Sequence, residues 1–194
     1  MNLLEQARFL LRITSTNDIL RRYFVVNGFD GALTMLGLII GFLVSGATGL
    51  SVIINVCLGA AIALGVSGVS SAYVSEVAER KHALGKLEDA MITDLGDSAH
   101  GEAAREVPLL IALVNGFTPL AISLLILMPL MAANAGFALP VSPLYAAVAI
   151  ALLVIFLLGV FLGSIAGVSW LRSGIHTLLV AILTAALIYL FAGY

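Results

Sequence analysis

Five long apolar stretches set the pattern of the chain, at about 24–45, 50–75, 107–131, 143–168 and 174–192. Each holds the roughly 20 mostly apolar residues that a helix needs to cross the hydrocarbon of a bilayer. Strands of a membrane barrel would be about ten residues each and would alternate in polarity, so these continuous runs predict helices. The connections at 46–49 and 132–143 carry no charge at all. Before the first stretch, Leu3, Leu4, Ala7, Leu10 and Leu11 share a helical face opposite Glu5, Arg8 and Arg12. That pattern predicts an amphipathic helix lying in the membrane interface, with Thr14, Ser15, Thr16, Asn17 and Asp18 as a break and a cap for the first span. After the second stretch the helical pattern continues to about Met91, with Gly85 as its weak point.

The predicted fold is therefore all-α, a polytopic membrane protein of five transmembrane helices. Its organisation reads as an N-terminal amphipathic segment (1–23), a first membrane hairpin (24–75) and an acidic helix and loop (76–106). A second hairpin (107–168) and a fifth membrane helix (169–194) complete it. The hairpins carry a repeat. Val26-Asn27-Gly28-Phe29 recurs as Val114-Asn115-Gly116-Phe117, and Leu64-Gly65-Val66 as Leu158-Gly159-Val160. Ser70 matches Ser164, and Val74-Ser75 matches Val168-Ser169. Two blocks in the same order predict a duplicated hairpin. Its copies point the same way, so it is a parallel repeat with one helix added. Convergence on small, packable residues is the competing reading. Gly37 with Gly41, and Gly159, Gly163 and Gly167, recur at four-residue spacing and let helix backbones approach closely.

Composition narrows the class. The chain of 194 residues is 61% hydrophobic and 10% charged, with a mean hydropathy of +1.14. Soluble domains run about 45–50% apolar and about 25% charged. A cytosolic enzyme, a disordered chain and a nucleic-acid binder are excluded, and the net charge of -2 suggests no polyanionic partner. The single cysteine, Cys57, excludes an internal disulfide framework and a cysteine-cluster metal site.

Charge sets the orientation. Arg8, Arg12, Arg21 and Arg22 precede the first span, Arg80, Lys81, Lys86 and Arg105 lie between the second and third, and Arg172 lies between the fourth and fifth. All fall on one side. The positive-inside rule then predicts a cytoplasmic N-terminus and an outside C-terminus. The first span starts too late and runs too long for a signal peptide.

Among residues that carry chemistry, Asp30 stands out as the acid clearly inside a span, roughly 9 Å deep at about 1.5 Å per residue. A carboxylate in hydrocarbon costs several kcal/mol or becomes protonated, so such residues line pathways or bind ions. A protonated structural Asp at a helix contact is the alternative. Asn27 lies one turn earlier on the same face. In the second span Ser67, Ser71 and Ser75 form a line that Glu79 continues, with Glu76 beside it. Such a line suits the entry of a hard cation. Hydrogen bonding between helices by the serines, and a plain Glu76–Arg80 pair at helical spacing, are the plainer account.

The loop after the second span carries Glu76, Glu79, Glu88, Asp89, Asp94, Asp97, Glu102 and Glu106 against four basic residues, together with His82 and His100. An acid excess concentrates cations at a pore mouth, and carboxylate with imidazole suits Fe(II), Mn(II) or Zn(II). A solvated face is the plainer account. Asn115, Thr118 and Pro119 repeat the Asn27–Asp30 region. Pro119 reads as a kink or as the source of a freed carbonyl. Met35, Met128 and Met131 are packing residues or soft ligands. Arg172 and His176 anchor the fifth span, with His176 a candidate for proton exchange. No zinc-protease motif, phosphate-binding loop or nucleophile elbow is present, so neither an enzyme nor nucleotide-driven transport is predicted.

Val26-Asn27-Gly28-Phe29-Asp30-Gly31-Ala32-Leu33-Thr34 resembles the first-helix motif of the vacuolar iron transporter family, in which Asp-Gly opens a glycine-rich span. Ala72-Tyr73-Val74-Ser75 falls where that family has Glu, an aromatic, an aliphatic and Ser, and Arg172-Ser173-Gly174 with Tyr189 resembles its last helix. The resemblance covers nearly the whole chain and is that of a divergent prokaryotic-type member, which implies a prokaryotic cell membrane. It implies a homodimer that moves Fe2+ or Mn2+, with Zn2+ or Co2+ as alternatives, out of the cytosol in exchange for protons. No permanently bound cofactor and no nucleotide are implied. Asp30 would then lie on the ion path at the dimer interface. The family's second-helix Met and Glu fall near Gly68 and Ala72, which carry no ligand, and Glu76 is the nearest acid to substitute. Glu76, Glu79 and Glu88 correspond loosely to the family's cytosolic metal-binding glutamates. A membrane scaffold that kept the fold and lost the ion site, or a transporter of another solute, are the competing functions.

Overall fold

A computed structural model describes residues 16–47 and 49–192. Among the described residues the chain is all α. Its helices are α1 (Thr16–Ser45), α2 (Leu50–Met91), α3 (Ala99–Asn134), α4 (Pro143–Ile165) and α5 (Trp170–Ala192). All five are long and apolar enough to cross a bilayer, which makes this an integral membrane protein. The amphipathic helix expected near the N-terminus, with Thr14 and Ser15, lies outside the described residues.

Three helix starts depart from the apolar stretches. α1 starts at Thr16 instead of 24, α3 at Ala99 instead of 107, and α5 at Trp170 instead of 174. Thr16, Asn17 and Asp18, expected as part of a break, are thus already helical. The reason is physical. Hydropathy marks where lipid begins, whereas backbone hydrogen bonding carries a helix on into water. α4 ends at Ile165, short of the expected 168, because Gly167 adopts a left-handed φ of 67°.

α2 continues to Met91, as its helical pattern predicts, and Gly85 does not interrupt it. Its 42 residues extend about 63 Å, twice the roughly 30 Å of bilayer hydrocarbon. It ends in a Schellman turn. Ile92 takes a φ of 53°, and the Thr93 N–H donates to the Glu88 carbonyl at 3.3 Å. That position usually holds glycine, since a side chain there is strained. α3 then begins on a conventional cap, with the Ser98 hydroxyl oxygen accepting from the His100 and Gly101 amides at 3.2 and 3.3 Å.

The helices contribute to two compact parts. The first comprises the described residues up to Phe24 together with Gly65–Phe117. Here Ala103, Val107 and Ile111 of α3 are buried, with Ile19, Leu20 and Tyr23 of α1 packed against them. The second comprises Val25–Leu64 and the described residues from Thr118 onward. Its core holds Met35, Leu36 and Ile39 of α1, Ile53 and Cys57 of α2, Ile126, Leu127 and Leu130 of α3, and Ile155 of α4. Leu153, Leu157, Leu179 and Leu183 are exposed, as suits helices whose outer faces meet lipid.

The repeat has a geometric counterpart in the second part. Gly31 and Pro119 are separated by the same offset that relates Val26 to Val114. A Cβ on Gly31 would lie 2.8 Å from the Cα and carbonyl oxygen of Pro119. Residues at equivalent positions of the two motif copies thus face each other where α1 meets α3. Only glycine permits backbones this close. Pro119 does not end α3, which runs unbroken past it.

Candidate functional site

Asp30 lies on α1 in the second part, and its side chain is exposed. Among the described residues none forms a hydrogen bond or ion pair with it. Asn27, one turn earlier, is half-buried. A bare carboxylate on the outer face of a membrane helix is incompatible with lipid at that position. It needs water, an ion or another protein surface against it.

The other predicted ligands belong to the first part. Glu76 is buried there, with a side chain 7% exposed. The pair expected from helical spacing is present, with Arg80 Nε 3.6 Å from Glu76 Oε2. Two further contacts were not expected. The Tyr23 hydroxyl donates to Glu76 Oε1 at 3.2 Å, and Arg80 Nη2 donates to the Thr16 hydroxyl oxygen at 3.1 Å. A buried ion pair offsets its desolvation only when its remaining polar atoms are hydrogen-bonded. Tyr23 and Thr16 meet that need, tying the start of α1 to α2. Sequence reading misses them because it begins the first span only after Tyr23. A metal ion at Glu76 would have to displace Arg80.

Glu88 is likewise engaged. Its Oε1 accepts the Leu95 N–H at 3.0 Å and so holds the turn after α2. Glu79 is exposed, as are Ser67, Ser71 and Ser75. Ser71 donates to the Gly68 carbonyl of its own helix at 3.4 Å. The hydroxyl line therefore points outward from α2. His82, His100 and His176 are exposed. Met35 is core, while Met128 and Met131 are exposed. Among the described residues, no three His, Cys, Asp or Glu side chains converge on a point where a metal could sit.

The two second-helix positions at which the resemblance expects Met and Glu are closed by packing. Ala72 is 4% exposed. A Cβ on Gly68 would lie 3.0 Å from Gly116 Cα and 3.1 Å from the Asn115 carbonyl oxygen. Asn115 also donates through Nδ2 to the Gly68 carbonyl at 2.7 Å. The backbone of α3 thus occupies the space that a long side chain at 68 would need. On Gly116 itself, a Cβ would collide with the Gly65 carbonyl oxygen and lie 2.8 Å from the Val69 nitrogen. The crossing of α2 and α3 rests on these glycines.

No protein-family model matches the chain. No solved structure matches it either. The uncharacterized protein MJ0645 of Methanocaldococcus jannaschii is 31% identical over 182 residues, an alignment covering 87% of this chain and 86% of that protein. Likeness at this level over nearly the full length of both proteins shows common descent, and the chain belongs to the same family as uncharacterized protein MJ0645.

Proposed function

We propose that the protein is a membrane transporter that moves divalent metal cations, Fe2+ or Mn2+, out of the cytosol in exchange for protons. One observation carries the reading. Asp30 is exposed within an apolar helix and has no partner among the described residues. A second copy of the chain, set against α1, would cover it and bring two carboxylates together. Such a pair would bind a divalent cation and release it when protonated. The outward line of Ser71, Ser75 and Glu79 would guide hydrated ions from the side that carries the Lys and Arg residues. The positive-inside rule makes that side cytoplasmic. The likeness of the first-helix motif to the vacuolar iron transporters supports the same reading.

The test is Fe(II) and Mn(II) flux into proteoliposomes, with and without a pH gradient, for wild type and Asp30→Asn. Flux that requires Asp30 and responds to the gradient supports metal–proton exchange. Its absence from folded protein in sealed vesicles refutes it.

A second reading is a membrane scaffold or partner-binding protein that kept the fold without an ion site. The closed positions Gly68 and Ala72, and the engagement of Glu76 by Arg80, favour it. Stabilisation by metal ions in a thermal melt would count against it. Transport of another solute is separated from metal transport by competition with excess Mn(II).

A further inference from the structure

Between α2 and the start of α3, in the first part, lies an open cavity of about 350 Å3. Tyr73, Val77, Lys81 and Leu84 line it from α2, and Ala104 and Arg105 from α3. Two of its lining side chains are cationic and none is acidic. The surrounding segment is rich in carboxylates, and other cations of this part use them or a ring. Arg80 pairs with Glu76, Arg21 with Asp18 at 4.0 Å, and Arg22 lies 5.7 Å from the centre of the Tyr23 ring. Among the described residues, Lys81, Lys86 and Arg105 have no such partner, and of these three Lys81 and Arg105 line the cavity. Two unpaired cations facing one cavity call for an anion to fill it.

Its level along the helices identifies the kind of anion. Counted from Leu50, Tyr73 lies about 35 Å along α2, just beyond the roughly 30 Å of hydrocarbon. Tyrosine rings favour that head-group layer. Arg105 falls just before the third apolar stretch, and Lys81 is two turns beyond Tyr73, with a long stem that reaches back along apolar surface. Val77, Leu84 and Ala104 give the cavity an apolar wall. Exposed Leu109, one turn into the membrane from Arg105, continues it toward the hydrocarbon. A free phosphate gains nothing from such a wall, whereas a lipid does.

We infer that Lys81 and Arg105 hold the phosphate of an anionic phospholipid, with Tyr73 at the level of its head group. Basic pockets between membrane helices bind such head groups through the same charge pairing. The site does not depend on what, if anything, the protein transports.

The intact protein, extracted in mild detergent from vesicles of phosphatidylglycerol and phosphatidylcholine, tests this by native mass spectrometry of the lipid it retains. Wild type is expected to retain phosphatidylglycerol over phosphatidylcholine about tenfold. Lys81→Gln with Arg105→Gln should abolish the preference. Lys86→Gln with Arg172→Gln, the same change in charge elsewhere, should keep it. Lys81→Arg with Arg105→Lys, which preserves both charges, should keep it too. All the substituted side chains are exposed, and circular dichroism confirms folding. An equal loss in both glutamine pairs, or none in the first, overturns the site. Saturable binding of inorganic phosphate to delipidated protein, without any preference for phosphatidylglycerol, overturns the lipid and leaves a soluble-anion site.

Discussion

The same short motif occurs twice in this chain, and the two copies are put to different uses. In α1, Asn27-Gly28-Phe29-Asp30 leaves its acid exposed, and the atoms nearest a Cβ on Gly28 would be the side-chain ends of Ile122 and Leu158, at 3.0 and 3.1 Å. In α3, Asn115-Gly116-Phe117-Thr118 buries Asn115 and Thr118. There Gly116 is pressed against the backbone of Gly65 and Val69, and Asn115 is bonded to the Gly68 carbonyl. Beside the first copy, the close backbone contact is made by Gly31 against Pro119, which leaves Asp30 itself outside the packing. The change from Asp30 to Thr118 at equivalent positions follows that division. A buried threonine can satisfy its own hydroxyl within a helix, whereas a buried aspartate would need a partner.

The largest effect expected from this asymmetry is on transport. Asp30→Asn should reduce metal flux to background while the protein still folds and elutes as wild type. Thr118→Val, nearly the same shape, should leave flux close to wild type and act on stability alone. Flux unchanged by Asp30→Asn, or abolished by Thr118→Val, would break the assignment of function to the first copy.

On stability the order reverses. Gly116→Ala places a Cβ against backbone that cannot move without shifting α2, and should cost about 3 kcal/mol. Gly28→Ala meets flexible side-chain ends and should cost about 1 kcal/mol or less. Titration of each variant with a denaturing detergent, followed by circular dichroism, measures the difference. Equal costs would mean that the two crossings are equally tight.

Much of this architecture is legible in the sequence. Five apolar runs of membrane length find five helices, because lipid tolerates almost nothing else. The extension of α2 to Met91 is also readable, from periodicity that persists after hydropathy falls. The early starts of α1 and α3 are not, since the residues there are polar enough to look like loop. At the candidate site Asp30 is legible because a charge in hydrocarbon is rare. The Glu76–Arg80 pair is legible from spacing alone. Tyr23 on Glu76 and Asn115 on Gly68 are not, because each joins positions distant in sequence, and no local pattern says which helix faces which. Nor does the sequence say that Gly68 is closed by α3. Absence of a ligand and absence of room for one look the same in a string of residues.

The Asn residues of the two copies separate the roles more finely. Asn115→Ala removes a buried hydrogen bond and should cost about 1 kcal/mol, with no effect on flux beyond that loss of stability. Asn27→Ala should lower flux more than its change in stability explains, if its amide assists ion binding beside Asp30. Parallel measurement of flux and detergent unfolding on the same preparations distinguishes the two. A flux defect confined to Asn115→Ala would reverse the comparison.

The smallest effect tests whether a glycine's neighbours, and not its mere presence in a helix, set what it contributes. Gly85 lies inside the extension of α2, and a Cβ there would meet nothing within 4 Å. Its backbone is helical, so alanine fits without strain and removes conformational freedom from the unfolded chain. Gly85→Ala should therefore stabilise the protein by about 0.5–1 kcal/mol, opposite in sign to Gly116→Ala. Gly28→Ala should fall between them. If all three substitutions destabilise alike, close approach does not explain the glycines of this fold, and the packing role given to the second copy of the motif fails with it. If the three fall in the expected order, packing constrains Gly116 in α3 more than its counterpart Gly28 in α1.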